Sequence, residues 1–392
     1  MSLIRFLIPL AFFLAACSTA DNSEPPAELL PIEAPEFVKE LWSFDTGQGV
    51  VKKYVDMQPF TYGQKIYTID TAGLLLRLDV KNGSVDWKFE TRLAATAGLS
   101  GDDKRLVATS RNGEVALYDY DNKGVKLRWK QQVSGEIRTR TVLSGEQVFV
   151  RAVDGKLIAL SAADGKPIWT VTRRVPALSL TGNSYPIVTD KLVISGFDSG
   201  KLVAFNRETG STVWEHTVTT PKGRTEIERL VDLDGQFVLL DNIIYISSFQ
   251  GDLIAITLSS GQVLWTRKFS SFQAMDADKE ALYLTDDKSH VWSIDRRTGS
   301  AFWKQDALNA RKLTAPRISG DRLVVADLEG YIHWMDKLDG KIVARQQSAE
   351  IRYISQPQTI GSTLIVMDMS GQLSAFNHQK KTVKPNTPFF FE

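Results

Sequence analysis

The sequence predicts an all-β fold, an eight-bladed β-propeller with four antiparallel strands in each blade. The first observation is a repeated unit in which a glycine precedes a strand, a tight turn follows, and a tryptophan lies fourteen residues later, or sixteen in the copy Gly113–Trp129. In the copy Gly200–Trp214, residues alternate with the period of two that is typical of a strand, and Thr209-Gly210 supplies the turn. A single hairpin is only marginally stable in water, so each copy must pack against others.

The second observation is the spacing of the copies. Their leading residues are separated by 38 to 51 residues and are Gly73, Gly113, Gly155, Gly200, Gly251, Ser289, Gly330 and Gly371. A period of about 40 to 45 residues with strand signals alone is typical of a propeller that has four strands per blade. In the seventh copy Ala344 replaces the tryptophan, which predicts a weaker joint there.

The third observation concerns the two ends of the repeat region. The eighth copy runs out before its outer strand, whereas residues 37–46 contain an additional strand pattern with Trp42 in the expected place. We therefore expect this strand to complete the last blade and to close the ring of residues 37–378. Closure also removes exposed sheet edges, which would otherwise favour aggregation.

Residues 1–16 have the pattern of a signal peptide. Arg5 is followed by an apolar run, Phe6–Ala16, that is too short to span a bilayer. The run ends in Leu-Ala-Ala-Cys17, which resembles the lipobox of bacterial lipoproteins. The resemblance implies cleavage before Cys17 and lipid attachment to it, and Ser18 implies sorting to the outer membrane.

The segments on either side of the predicted ring differ from it in composition. Residues 17–36 contain four prolines and scattered acids, and we expect them to form a solvated, flexible tether with a reach of about 60 Å. Residues 379–392 form a C-terminal extension that ends in three phenylalanines and a glutamate, and the sequence indicates no role for it.

Composition excludes several classes of function. The net charge of +1 and the lack of a long basic run argue against nucleic-acid binding. The four histidines are far apart, and Cys17 is the only cysteine, so neither a disulfide nor a cysteine-based metal site is expected. Asp119 to Gly124 imitates half of a calcium-binding loop, but Lys123 and Lys130 replace oxygen ligands. The sequence predicts no catalytic residue, metal or cofactor.

One enzymatic alternative remains open at this point. The Trp-bearing repeat resembles that of quinoprotein dehydrogenases, which bind pyrroloquinoline quinone in an eight-bladed propeller. The resemblance implies a periplasmic enzyme or a sugar-binding propeller. However, those enzymes place the cofactor against a disulfide between adjacent cysteines and a calcium ion, and this chain has no second cysteine.

Two insertions interrupt the regular repeat. The longest intervals, of 45 and 51 residues, flank the fourth copy and contain Val175–Gly182 and Thr225–Asp234. Insertions in repeat proteins map to loops, often on the binding face. Both segments mix apolar and polar residues, and we expect them to lie on neighbouring blades.

The lipobox, the tether, the eight repeats and these two segments together resemble the BamB family, propeller lipoproteins of the machinery that assembles β-barrel proteins in the bacterial outer membrane. The resemblance implies a non-catalytic scaffold, anchored on the periplasmic face, that aids the folding and insertion of barrel proteins. It also implies binding to the POTRA domains of the barrel subunit BamA, with indirect contact to other Bam lipoproteins. Carried over by position, the expected contact residues are Leu178, Leu180, Thr181, Asp232 and Asp234.

The alternatives for these residues are structural. The two leucines could face a blade core, and the two aspartates could be solvated turn residues. Thr181 stands where some family members have arginine, and Arg173 or Arg174 is a candidate replacement. Addition of a client strand to a propeller edge is a further possibility that the sequence leaves open.

Overall fold

The chain folds into a ring of eight antiparallel sheets in a computed structural model that describes residues 24–50, 57–176, 184–219, 233, 235–249, 251–353 and 355–379. Within these residues 32 strands form eight four-stranded sheets, and there is no helix. Each sheet is one blade of a β-propeller, which confirms the predicted fold class and the predicted number of blades.

The strands are numbered in chain order, beginning with β1 (Phe37–Asp45). Blades 1 to 4 comprise β2 (Phe60–Tyr62), β3 (Lys65–Ile69), β4 (Leu74–Asp79), β5 (Val85–Glu90); β6 (Ser100–Gly101), β7 (Arg105–Thr109), β8 (Glu114–Tyr120), β9 (Val125–Gln132); β10 (Val142–Ser144), β11 (Gln147–Arg151), β12 (Lys156–Ser161), β13 (Pro167–Thr172); and β14 (Ile187–Val188), β15 (Leu192–Phe197), β16 (Lys201–Asn206), β17 (Thr212–Thr217). Blades 5 to 8 comprise β18 (Val238–Leu240), β19 (Ile243–Ser247), β20 (Asp252–Thr257), β21 (Val263–Lys268); β22 (Asp276–Ala277), β23 (Ala281–Thr285), β24 (Val291–Asp295), β25 (Ala301–Gln305); β26 (Arg317–Ser319), β27 (Arg322–Ala326), β28 (Tyr331–Asp336), β29 (Ile342–Gln347); and β30 (Gln358–Ile360), β31 (Thr363–Met367), β32 (Gln372–Gln379) with β1.

The four strands of a blade are called A to D from the central channel outwards. The A strands of neighbouring blades contact one another around the ring, which places them at its centre. Because adjacent strands are antiparallel, the A–B and C–D turns lie on one face of the ring. The B–C turns and the connections from strand D to the next strand A lie on the opposite face, which we call the D–A face.

The ring is closed by the two ends of the repeat region. Strand β1 pairs antiparallel with β32, from Phe37 opposite Gln379 to Asp45 opposite Gln372, with a bulge between Glu40 and Trp42. The N-terminal strand is thus strand D of blade 8, as predicted. Pairing with β1 therefore covers the outer edge of β32.

The repeated tryptophans join neighbouring blades. The indole N–H of Trp214 on blade 4 donates to the carbonyl oxygen of Leu258 on blade 5 at 2.8 Å. Gly261, in the C–D turn of blade 5, has a φ of +69°, and a Cβ atom there would lie 2.6 Å from the Trp214 ring. Glycine is therefore required at this position for two reasons, its backbone conformation and the close approach of the indole.

The seventh joint uses the same pair of residues in exchanged positions. In blade 4 Ala204 on strand C is paired with Trp214 on strand D, whereas in blade 7 Trp334 on strand C is paired with Ala344 on strand D. Trp334 is fully buried, and its ring lies 6.3 Å from that of Phe376 on blade 8. Trp334 therefore supplies the indole at the joint where Ala344 replaces the tryptophan, although its indole nitrogen has no hydrogen-bond partner among the described residues.

Residues 24–36, which the sequence assigned to the tether, lie against blade 7. The backbone N–H of Ala27 donates to the carbonyl oxygen of Asn309 at 2.9 Å, and Arg345 donates to the carbonyl oxygen of Leu30 at 3.0 Å. The side chain of Leu29 packs against the apolar cluster that contains Leu308. The solvated tether stays a prediction for residues 17–23, which lie outside the described residues, as does the C-terminal extension from residue 380.

Glu36 connects this segment to the two blades at the closure. Its carboxylate accepts hydrogen bonds from Arg322 of blade 7 at 2.6 and 2.8 Å and lies 2.7 Å from Nε2 of His378 on blade 8. The side chains of Glu36 and Arg322 are 12% and 3% exposed. The hydrogen bonds from Arg322 hold the pKa of Glu36 below its usual value.

We expect Glu36→Gln to lower the free energy of unfolding by about 1–3 kcal/mol, because a buried charge-assisted pair is lost. The loss stays below that for a fully orphaned charge because Arg322 keeps Asp336 at 2.9 Å. The pKa of Glu36 is lowered in the folded state, so its contribution is present above the unfolded pKa and is lost as the pH falls through the folded value. Thermal unfolding of both proteins between pH 7 and pH 3 would show the difference shrink under acid, while the exposed control Glu33→Gln should match the parent throughout.

Candidate partner-binding face

The predicted contact residues Leu178, Leu180, Thr181, Asp232 and Asp234 lie outside the described residues, as does Cys17. The segments that contain the five contact residues are nevertheless located by their flanks. One connects β13 to β14 and the other connects β17 to β18. Both are connections from strand D to the next strand A, so both begin and end on the D–A face, on either side of blade 4.

The ends of the two segments are joined to each other. The backbone N–H of Tyr185, which follows the first segment, donates to the side-chain Oε1 of Gln236, which follows the second, at 3.0 Å. Nothing in the spacing of these residues along the chain, 51 positions apart, indicates the contact. The sequence predicted neighbouring insertions, and the hydrogen bond brings their bases together.

Leu233 is the one residue of the second segment that the structure describes. It is 1% exposed and packs in the apolar cluster that includes Ile194 and Ile244. A Cβ atom on Gly196 would lie 3.1 Å from that of Leu233, so the glycine makes room for this leucine. Leu233 is therefore a core residue between the two predicted contact acids, and it pins the segment to blades 4 and 5.

Further polar side chains link other D–A connections around the central channel. The guanidinium of Arg140 lies 5.1 Å from the ring centroid of Tyr185 and donates a hydrogen bond to Gln58. Gln58 donates in turn to the carbonyl oxygen of Gln356 at 3.3 Å, and Arg317 donates to the Gln356 side chain at 3.0 Å. These contacts tie the bases of several D–A connections together, so the predicted contact segments start from a braced platform.

The two arginines beside the first segment differ in their availability. Arg173 donates to Glu215 at 3.0 Å and to Thr212 at 2.8 Å, and its guanidinium lies 5.6 Å from the Phe205 ring centroid. The hydrogen bond from Lys201, with a smaller contribution from Arg173, lowers the pKa of Glu215. Arg173 is thus engaged within blade 4, whereas Arg174 is exposed and available to a partner.

An aromatic pair that the sequence analysis missed lies on the same face. Phe249 in the B–C turn of blade 5 and Phe272 in the connection to blade 6 have ring centroids 6.3 Å apart, and Phe272 is 45% exposed. The sequence signal for this pair was one phenylalanine in a B–C turn followed by another in the next D–A connection. The pair enlarges the apolar part of the D–A face next to the second predicted segment.

Three of the histidines have structural partners. His290 lies 2.9 Å from Asp286, His333 lies 2.9 Å from Asp327, and His378 contacts Glu36. Burial lowers the pKa of His333 and of His216. Among the described residues no group of three or more histidine, cysteine or acidic side chains could hold a metal ion, and no helix could cross a membrane. The quinoprotein interpretation gains no site from this arrangement.

Comparison with known proteins gives one family. The family model described as outer membrane protein assembly factor BamB matches residues 87–305. The BamB proteins of Kangiella koreensis and Vibrio cholerae are each 35% identical to the chain, over 323 and 319 residues, covering 82% and 81% of this chain and 82% of each relative. That of Bordetella pertussis is 30% identical over 320 residues, 81% of either chain.

Solved structures agree on the fold. The crystal structure of BamB from Moraxella catarrhalis superposes with a TM-score of 0.78 at 22% identity, covering 87% of this chain and all of that one. A europium-containing methanol dehydrogenase gives a TM-score of 0.70 at 12% identity, covering 87% and 93%. At these identities both likenesses concern the fold alone. The family match and the identity to relatives along four fifths of the chain decide the assignment: the chain belongs to the BamB family of outer membrane protein assembly factors.

Proposed function

We propose that the chain is a non-catalytic scaffold of outer membrane protein assembly and binds the POTRA domains of a BamA-type barrel subunit through its D–A face. The observation that carries the proposal is the hydrogen bond between Tyr185 and Gln236. It joins the bases of the two segments that hold Leu178, Leu180, Thr181, Asp232 and Asp234, so one partner can contact both.

The chemistry of this face suits a protein partner. Leucines from the first segment and the exposed ring of Phe272 supply apolar area, while Asp232, Asp234 and Arg174 supply charges. Protein interfaces commonly combine an apolar centre with charged residues that fix orientation. The braced channel side of the face reduces the ordering cost of binding.

The proposal includes the location of the chain. Residues 1–16 act as a lipoprotein signal, Cys17 carries the lipid, and the ring lies on the periplasmic side of the outer membrane. Three acyl chains on one cysteine anchor stably, since each buried CH₂ group contributes about 0.8 kcal/mol. Contact with other lipoproteins of the complex is indirect, through the barrel subunit.

The scaffold proposal is tested by purifying the full-length, tagged chain from detergent-solubilised outer membranes and identifying bound proteins by mass spectrometry. We expect a POTRA-containing barrel subunit to be retained in a fixed ratio. The purified POTRA region alone should then bind the purified chain. Absence of direct binding by this region would overturn the proposed partner.

We expect Cys17→Ala to release the chain from the outer membrane, because the only thiol that can carry the lipid is removed. Membrane fractionation in cells that lack the barrel subunit measures this without retention through a partner. Cys17→Ser removes the same thiol and should behave alike, whereas Ser18→Ala should stay in the membrane fraction. An outer-membrane level of Cys17→Ala equal to that of the parent would contradict lipid attachment at this residue.

A further inference from the structure

The segment Glu24–Glu36 crosses the whole height of blade 7. At its start, the side chain of Asn309 donates to Glu24 at 2.7 Å, and the backbone of Ala27 bonds to Asn309, which belongs to the D–A connection between β25 and β26. At its end, the backbone N–H of Glu36 donates to the carbonyl oxygen of Val343 at 2.8 Å, near the C–D turn of blade 7. Glu24 therefore lies at the D–A face and Glu36 at the opposite face.

Two arginines, one buried and one partly buried, hold the middle of this segment. Arg311 is 2% exposed, donates to Asp327 at 2.7 Å, and uses a second nitrogen to donate to the carbonyl oxygen of Ala27 at 2.9 Å. Arg345 donates both to Nδ1 of His333 at 3.3 Å and to the carbonyl oxygen of Leu30. These donors are fixed by their own partners inside blade 7, so they form preorganised binding positions for the segment's backbone.

The docked segment limits how far the ring can lie from a lipid at Cys17. From Cys17 to Glu24 there are seven residues, and a fully extended chain spans at most about 3.6 Å per residue, or about 25 Å in total. If residues 18–36 were all free, the limit would be more than twice as large. Strands B to D of blade 7 contain five or six residues, which add about 20 Å to the distance of the opposite face.

We propose that residues 24–36 form a strap that makes the D–A face, on the side of blade 7, the part of the ring nearest the membrane surface, within about 25 Å of it. This inference rests on the proposed lipid attachment at Cys17. The partner surface in this proposal is the lipid bilayer, which the chain reaches through the lipid on Cys17. Tyr185 and Gln236, which flank the predicted contact segments beside blade 4, belong to connections on the same D–A face.

The orientation can be measured with single added cysteines, because the thiol of a lipidated Cys17 is blocked and the chain has no other. Asp306→Cys places a fluorophore on the D–A face beside the start of the strap, and Leu338→Cys places one in the exposed C–D turn of the same region. Each lipidated, full-length protein is incorporated into phosphatidylethanolamine and phosphatidylglycerol vesicles that contain an acceptor-labelled lipid. We expect at least twofold stronger energy transfer to the lipid from position 306 than from position 338.

Variants of the strap itself supply the comparison. Ala27→Pro with Leu29→Asp removes the N–H that bonds Asn309 and the apolar contact, and leaves the blades unchanged. We expect the ratio between the two positions to fall toward one in this variant and to persist in the control Glu28→Gln, an exposed residue of the same segment.

Failure of the anchor and failure of the strap give different results. A parent protein that reacts with maleimide and does not bind vesicles would show that Cys17 is not lipidated, which overturns the anchor and this inference with it. A blocked Cys17 with equal transfer from positions 306 and 338, or a twofold ratio that survives the strap variant, would overturn the strap alone.

Discussion

Replacing Leu178 and Leu180 by alanine and Asp232 and Asp234 by arginine should abolish retention of the POTRA-containing partner without unfolding the ring. Loss of a buried anchor typically costs 2 kcal/mol or more, which is about thirtyfold in affinity, and reversed charges weaken association further. The fold should survive because the variant keeps Leu233, which packs in the core of blades 4 and 5. Partner retention and melting temperature are measured on the same preparation.

A matched control changes the opposite face of the ring. Glu208→Arg with Leu338→Ala alters an exposed acid and an exposed leucine in C–D turns, and should leave both retention and melting unchanged. Normal melting with normal retention in the fourfold variant would place the interface elsewhere on the propeller. Loss of folding would assign the two leucines to a blade core.

The ring itself was predictable because its determinants are local and repeated. Each Gly-to-Trp unit contains a strand pair and the indole that donates a hydrogen bond to the next blade. The sequence repeat therefore predicts the contacts between blades as well as the blades themselves. The closing strand was predictable for the same reason, since Trp42 repeats the motif without a preceding strand of its own. The seventh joint lacks this indole bond, because Trp334 and Ala344 exchange strands there.

The docked segment could not be predicted because its contacts are not encoded in its own composition. A segment with four prolines and scattered acids could equally be a solvated chain. The groups that hold it against blade 7 are Arg311 and Arg345, which lie 284 and 315 residues from their partners Ala27 and Leu30. The same holds for the candidate site. The Tyr185–Gln236 bond joins residues that precede the first strands of blades 4 and 5, and the Phe249–Phe272 pair joins a turn of blade 5 to the connection that follows this blade. Both contacts therefore depend on how the folded blades place their loops.

Removal of β1 should have the largest effect on stability. A mature chain that begins at residue 46 loses the hydrogen-bonded partner of β32 and the indole of Trp42, which donates to Val80 of blade 1 at 2.8 Å. Trp42 is partly buried, and the loss of its packing together with the strand pairing should remove a large part of the about 5–15 kcal/mol that stabilises a typical domain. We expect the melting temperature to fall by about 10 °C or more, with aggregation through the exposed edge of β32.

Two longer chains separate the effect of β1 from that of the strap. A chain that begins at residue 24 keeps all described contacts, and a chain that begins at residue 37 loses Glu36 and the strap but keeps β1. We expect the second to melt only a few degrees below the first and to stay soluble, because the sheet edge remains covered. The melting temperature and the light scattering of the three chains test this prediction. If the chain that begins at residue 46 had the melting temperature of the chain that begins at residue 37 and stayed monomeric, the ring would not depend on closure by its N-terminal strand.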